Sequence, residues 1–257
     1  VSRQRTASYP SAETRANSVP AYSANYQRVQ QSSTLVQLWS PDNAWQSPGF
    51  VALSGVQAGS LVITFGAWWD AVHGVGGTQS LPSSSNGGTL SAGANPTLPN
   101  GASAYPTHCQ IAHLLGASAG GHNITPQSVG ADGDGYFLAA EFSGPPGTWV
   151  LVTSGSAVSE SATAGAVDGV TVTTAGSAQV GDLVIAGVLT DGDPTAIGVG
   201  AAPGYNEMLS TITTTNNIGA GLGWKIAASA GAQSAAWTWA DNDQKIGAAV
   251  IAVYRRA

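Results

Sequence analysis

Ser118 sits in the most chemically suggestive setting of the chain. Gly116-Ala117-Ser118-Ala119-Gly120 has the G-x-S-x-G spacing in which a tight turn exposes a serine hydroxyl as a nucleophile. Upstream, His73-Gly74-Val75-Gly76-Gly77 offers backbone N–H groups of the kind that stabilise an oxyanion. That chemistry also requires an acid and then a histidine, in that chain order, to take the hydroxyl proton. The only histidine after Ser118 is His122, four residues on, so the order fails. With 34 glycines in 257 residues, the spacing is easily met by chance. Ser118 reads as a turn residue. No catalytic residue is assigned, and the chain is expected not to be an enzyme.

Metal chemistry fares no better. The four histidines, His73, His108, His113 and His122, lie in the first half, with the single cysteine, Cys109, beside His108. Zinc takes about four ligands at short, fixed spacings. Here His108 and Cys109 point to opposite faces of a strand, and the step from Cys109 to His113 is a helix spacing in a strand-like run. The pairs Asp132/Asp134, Asp191/Asp193 and Asp241/Asp243 each supply two carboxylate ligands, whereas calcium takes roughly six to eight oxygens. Turn chemistry accounts for them. No metal or other cofactor is expected. Trp237 and Trp239 share a strand face and could form a sugar-stacking platform, but burial in a core or subunit contact is the stronger expectation.

The elements that must carry these residues follow from composition. Hydrophobic residues make up 43% of the chain, enough for a core, but charged residues only 9%, against about 25% in an average domain. Helices laced by Glu–Lys pairs are not available to such a sequence, whereas short strands joined by small-residue turns are. One cysteine excludes an internal disulfide. No apolar run reaches the roughly 18 residues of a membrane-spanning helix, and the polar stretch after Arg3 and Arg5 is not a signal peptide. Strands are expected at Thr34–Trp39 and Val167–Thr173, and a hairpin turn at Asn216-Asn217. The stretch from Leu81 to Gly101 reads as an irregular loop, either mobile or fitted against a partner.

The chain repeats itself. Gly59-Ser60-Leu61-Val62-Ile63 matches Gly181-Asp182-Leu183-Val184-Ile185, and Ala117-Ser118-Ala119-Gly120 matches Ala228-Ser229-Ala230-Gly231. Ala131-Asp132-Gly133-Asp134 with the strand Tyr136–Phe142 matches Ala240-Asp241-Asn242-Asp243 with the strand Ile246–Tyr254. Three blocks in the same order predict two β-sandwich domains, 34–143 and 148–257, joined by a linker at 144–147, each near the ~100 residues of a single sandwich.

Before them, residues 1–33 form an extended arm rich in Ser, Gln and Ala. Residues 1–32 carry Arg3, Arg5, Arg15 and Arg28 against Glu13, whereas 33–224 contain eleven acidic residues and no Lys or Arg. The whole chain has a net charge of −6. A basic arm on an acidic body is drawn to an acidic surface. Four arginines spread over 26 positions lack the density that phosphate binding favours, so nucleic acid is not expected as a partner. Arg3, Arg5, Tyr9, Arg15, Tyr22, Tyr26 and Arg28 are therefore the candidate partner-binding residues.

The ordered blocks Gly-Asp-Leu-Val-Ile-Ala (181–186), Ala-Pro-Gly-Tyr (202–205), Gly-Trp-Lys (223–225) and Ala-Val-Ile-Ala-Val-Tyr-Arg (249–255) resemble β-sandwich modules of phage tail, fibre and head-decoration proteins. The likeness covers 180–257 well and 34–142 loosely. It implies an all-β fold of two related antiparallel, jelly-roll-like sandwiches behind the arm, and a structural role on a virion surface. The expected function is that of a capsid decoration or cement protein. Its expected partners are the major capsid protein and neighbouring copies in a homo-oligomer, with no membrane involved. The alternative is a carbohydrate-binding tail or fibre adhesin.

Overall fold

The structure, a computed structural model, describes residues 31–37, 50–69, 81–94, 107–126, 134–143, 147–160, 169–191, 196–198, 205–212, 218–240 and 246–257. They contain strands and no helix, and all the sheets are antiparallel. The first half contributes β1 (Gln31–Gln37), β2 (Val51–Val56), β3 (Ser60–Trp69), β4 (Ser83–Ser84), β5 (Gly88–Thr89), β6 (Ser91–Ala94), β7 (Thr107–Ala117), β8 (Gly120–Thr125) and β9 (Asp134–Phe142). The second contributes β10 (Trp149–Glu160), β11 (Gly169–Thr173), β12 (Leu183–Asp191), β13 (Ala196–Gly198), β14 (Asn206–Ile212), β15 (Ile218–Ile226), β16 (Ser234–Ala240) and β17 (Ile246–Arg256).

The two halves have one topology. A five-stranded sheet ordered β1-β9-β3-β7-β6 in the first half corresponds strand for strand to β10-β17-β12-β15-β14 in the second. The smaller sheets, β2-β8-β4-β5 and β11-β16-β13, correspond likewise, β5 being an extra hairpin strand. The repeat read from the sequence is thus a repeat of strand order as well. Leu61 pairs with Phe142 as Leu183 pairs with Tyr254, which fixes the residue-level match along the central ladders.

Three expectations shift. The first strand begins at Gln31, inside the segment read as arm, because its backbone pairs with β9 from Gln31↔Phe142 to Gln37↔Tyr136. Residues 81–94 are not an irregular loop. They hold β4, β5 and β6, whose Ser, Gly and Ala side chains carry little pattern but whose backbones complete ladders begun by β8 and β7. The third difference is how the halves meet. Leu61, Ile63, Phe65, Ile111, Leu138 and Phe142 of the first half share a single core with Leu183, Ile185, Leu222, Val250, Ala252 and Tyr254 of the second. The two large sheets therefore lie face to face.

Both faces of these sheets are buried. On β12, Leu183, Ile185 and Leu189 enter the shared core, while Val184, Ala186 and Val188 pack on β11 and β16 through Val170, Val172, Ala235 and Trp237. In the first half Val62, Phe137 and Ala139 face Val51, Leu53 and Ile124. Four layers result, with the two large sheets inside. This is why the strand segments Leu61–Ile63, Leu183–Leu189 and Ala248–Tyr254 read as unbroken apolar runs, whereas β11, on the outside, alternates.

Gly187 shows how close the inner sheets come. A Cβ built there would overlap the Phe65 ring of β3, so the missing side chain is filled by the aromatic opposite. Gly187→Ala should lower stability by about 1–3 kcal/mol through overpacking. Phe65→Leu in the same chain should return part of that loss. Denaturant midpoints of the two single variants and the double variant test this; strictly additive losses would show that the two positions do not touch.

Candidate functional site

The residues with chemical potential gather where the turns between strands meet. Gln57-Ala58-Gly59-Ser60 and Gln179-Val180-Gly181-Asp182 are equivalent turns before β3 and β12. Each is closed by an N–H donated from the fourth residue to the first carbonyl at 3.1 Å. Gly59 and Gly181 have φ of 81° and 95°, the left-handed third position that glycine takes without strain. Each glycine also donates its N–H, at 2.8 Å, to the last carbonyl before the opposite turn, that of Ala117 or Ala227.

A buried carboxylate completes each turn, but from a different place. In the second half the turn's own Asp182, only 2% exposed, accepts Gln179 N–H at 2.7 Å. It also accepts Arg255 Nε at 2.8 Å and Nη2 at 2.7 Å, a bidentate pair. In the first half the turn residue is Ser60, and the carboxylate comes from Glu141 on β9. Its Oε1 accepts Gln57 N–H at 2.8 Å and Ser60 Oγ–H at 2.7 Å. Both acids accept a backbone N–H of the turn they close.

Ser118 lies in the turn between β7 and β8, and its hydroxyl is not what His122 engages. The fully buried His122 places Nε2 2.9 Å from the Ser118 carbonyl oxygen, and Nδ1 2.8 Å from Ser84 Oγ on β4. The second half has Gln233 at the equivalent place, two residues after the positive-φ Gly231 as His122 is after Gly120. Gln233 donates Nε2–H to the Ser229 carbonyl, again four residues back, at 3.2 Å. An amide nitrogen can only donate, so the match assigns His122 the Nε2–H tautomer, with Nδ1 accepting the Ser84 hydroxyl. A residue that glutamine replaces in the sister turn is acting as a strut. Aligning these turns at their glycines and at Ala117/Ala227 gives the second half one extra residue, a correction to the one-to-one block match read from the sequence.

The other candidates are placed as follows. His108 stacks on Trp68 with ring centroids 5.4 Å apart, whereas Cys109 is in the shared core, so the two point to opposite faces as expected. Burial drives the Cys109 thiol far above its ordinary range, leaving it an inert packing group. His113 faces Tyr254 across the inner sheets, Nδ1 to hydroxyl 3.2 Å, and burial holds its pKa below the ordinary value. Trp237 is 1% exposed and packed in the core beneath β12, so it is not one half of an open sugar platform. The Trp239 side chain lies outside the described residues, as do Asn216-Asn217 and His73. Among the described residues no three His, Cys, Asp or Glu side chains form a group that could hold a metal.

Tyr205 and Lys225, from two of the blocks singled out in the sequence, do come together. The Lys225 ammonium sits 4.4 Å from the Tyr205 ring centroid, and Tyr205 donates its hydroxyl to the Ser234 carbonyl at 3.2 Å. Burial lowers the Lys225 pKa and raises that of Tyr205. This is a cation–π brace between β15 and the start of β14. The arm residues Arg3, Arg5, Tyr9, Arg15, Tyr22, Tyr26 and Arg28 lie outside the described residues. The Asp182–Arg255 pair and the Ser84–His122 bond were not legible in the sequence, because their partners are 73 and 38 residues apart. No protein-family model, curated protein or solved structure matches this chain.

Two outcomes follow from these contacts. His122→Gln should keep the β7–β8 turn through the amide donor and cost little stability. His122→Ala should cost more, about 1–3 kcal/mol, for the orphaned Ser118 carbonyl and Ser84 hydroxyl. Equal melting temperatures for the two variants would contradict the strut role. His113, neutral in the fold and depressed by burial, takes a proton in the unfolded chain before it does in the native one. Its contribution is therefore intact above pH ~6.5 and is lost as the pH falls towards its folded value. Melting temperature should fall less between pH 7 and 5 in His113→Gln than in the parent protein.

Proposed function

We propose that this chain is a non-enzymatic structural component of a phage particle, a capsid decoration or cement protein that joins the shell through its N-terminal arm. The observation that carries the reading is the segregation of charge. Four arginines stand in the first 32 residues, while the next 192 hold eleven acids and neither Lys nor Arg. Such a chain has a cationic end seeking acidic surface and a body that repels its own kind at long range.

The strand order supports reading 34–143 and 148–257 as two related, jelly-roll-like sandwiches. Each begins with a strand that enters the large sheet beside the last strand, and each folds its second, fourth and next-to-last strands into the small sheet. The polar chemistry of this body also supports a structural role, since its buried carboxylates and His122 close turns. In this reading the sandwiches stand outside the shell at the particle surface. The arm passes between major capsid protein subunits and neighbouring copies, held by Arg3, Arg5, Arg15 and Arg28 and anchored by Tyr9, Tyr22 and Tyr26. Single exposed ion pairs are worth only ~0–1 kcal/mol, so attachment is distributed along the arm and multiplied by a homo-oligomer.

Deleting residues 1–30 should leave a folded body that no longer joins particles lacking this component, as read by co-sedimentation. Replacing the four arm arginines together by glutamine should weaken attachment more at physiological than at low ionic strength. Equal pelleting of full-length and arm-deleted protein would refute the arm mechanism. Binding to sugar-bearing cells instead would establish the adhesin reading.

A further inference from the structure

Asn86 and Gly87 form the tip of the β4–β5 hairpin, and both are exposed. An asparagine followed by glycine carries its own reaction. The glycine nitrogen can close a five-membered ring on the asparagine side-chain carbonyl, and the absent Cβ leaves that approach unhindered. Folded chains suppress the reaction by pinning the nitrogen in a short hydrogen bond. Here Gly87 N–H reaches the Ser84 carbonyl only at 3.4 Å, whereas the Ser85 and Leu90 N–H groups on either side are held at 3.0 and 2.9 Å. The tip is the least firmly bonded part of a hairpin anchored on both sides.

The fold keeps this pair together. A Cβ at Gly87 would overlap the Leu114 side chain of β7, and Gly88 beside it has a φ of 72°. Asn86 is held by its side chain, which donates Nδ2–H to the Ala119 carbonyl at 3.4 Å, in the turn between β7 and β8. Its backbone N–H goes to Ser84 Oγ at 3.2 Å, the hydroxyl that also bonds His122 at 2.8 Å. The labile pair is therefore tied to the turn that His122 braces.

We propose that Asn86 is a self-modification site, converting to aspartate and isoaspartate, and that the conversion releases the hairpin tip from the β7–β8 turn. Gly87 N gives its proton to hydroxide and bonds to Asn86 Cγ. The Cγ–Nδ2 bond breaks, and ammonia leaves with a proton taken from water. Water then opens the succinimide at either carbonyl, so that asparagine and water have become an acid and ammonia without any oxidation. The new carboxylate has no donor for the Ala119 carbonyl and sets oxygen against oxygen across that contact. Isoaspartate also lengthens the main chain by a methylene between Ser84 and Gly88, which are paired in register. The inference rests on neither the arm nor a particle.

The test is to incubate the full chain at neutral and mildly alkaline pH, then map products by peptide mass and by enzymatic methylation of isoaspartate. Cleavage at Leu90 separates Asn86 from Asn100, the other asparagine that precedes a glycine. Conversion at Asn86 should run at least about tenfold faster than at Asn123 or Asn206, which precede Ile and Glu, and should rise with pH. An Asn86 that stays intact in the folded chain, whether or not it converts in urea, would overturn the site. For the release, hydrogen exchange at 83–89 and 117–120 should quicken several-fold in Asn86→Asp and less in Asn86→Ser. Exchange equal to the parent's in both variants would overturn that part.

Discussion

Everything in this molecule depends on the burial of its two five-stranded sheets on both faces. A sheet with one wet face can be built from alternating residues and stands as half of a sandwich. Here β3, β12 and β17 are apolar at successive positions, and each needs cover above and below. The small sheets supply one cover. The other cover is the large sheet of the opposite half, and the halves consequently meet through a shared apolar core. Gly187 against Phe65, and the buried His113–Tyr254 bond, are local consequences of that close approach.

Two-sided burial leaves few places for polar groups, and several of them sit at the turns at the sheet ends. The two halves solve the same problem with different residues. A carboxylate must receive the Gln57 or Gln179 N–H, and it arrives from the adjacent strand in one half and from the turn itself in the other. A donor must reach the serine carbonyl of the opposite turn, and it is an imidazole in one and an amide in the other. What is held constant is the hydrogen bond, which a buried backbone group cannot forgo.

The described carboxylates Glu141 and Asp182 are both spent on closing turns. Among the described residues, several sheet edges are short or interrupted. β6 and β13 have four and three residues, and β10 has its Ser154 carbonyl taken by Ala175 N–H, which discourages indiscriminate strand pairing.

The sequence by itself determined the strand class, the duplication and the charge layout, because these are set by composition, by residue order and by local turn chemistry. Gly59 and Gly181, each before a Leu-Val-Ile run, mark equivalent turns without any knowledge of what lies opposite. It also placed His108 and Cys109 on opposite faces, since strand periodicity is a local property. Only the tertiary structure decided that the halves share a core, for an unbroken apolar run says that both faces are covered but not by what. It alone decided that 81–94 forms strands, whose Ser and Gly residues become ladder members only because β7 and β8 offer open edges. And it alone joined Asp182 to Arg255, and His122 to Ser84 rather than to the Ser118 hydroxyl, because a side chain's partner is fixed by the packing of strands that are far apart in the chain.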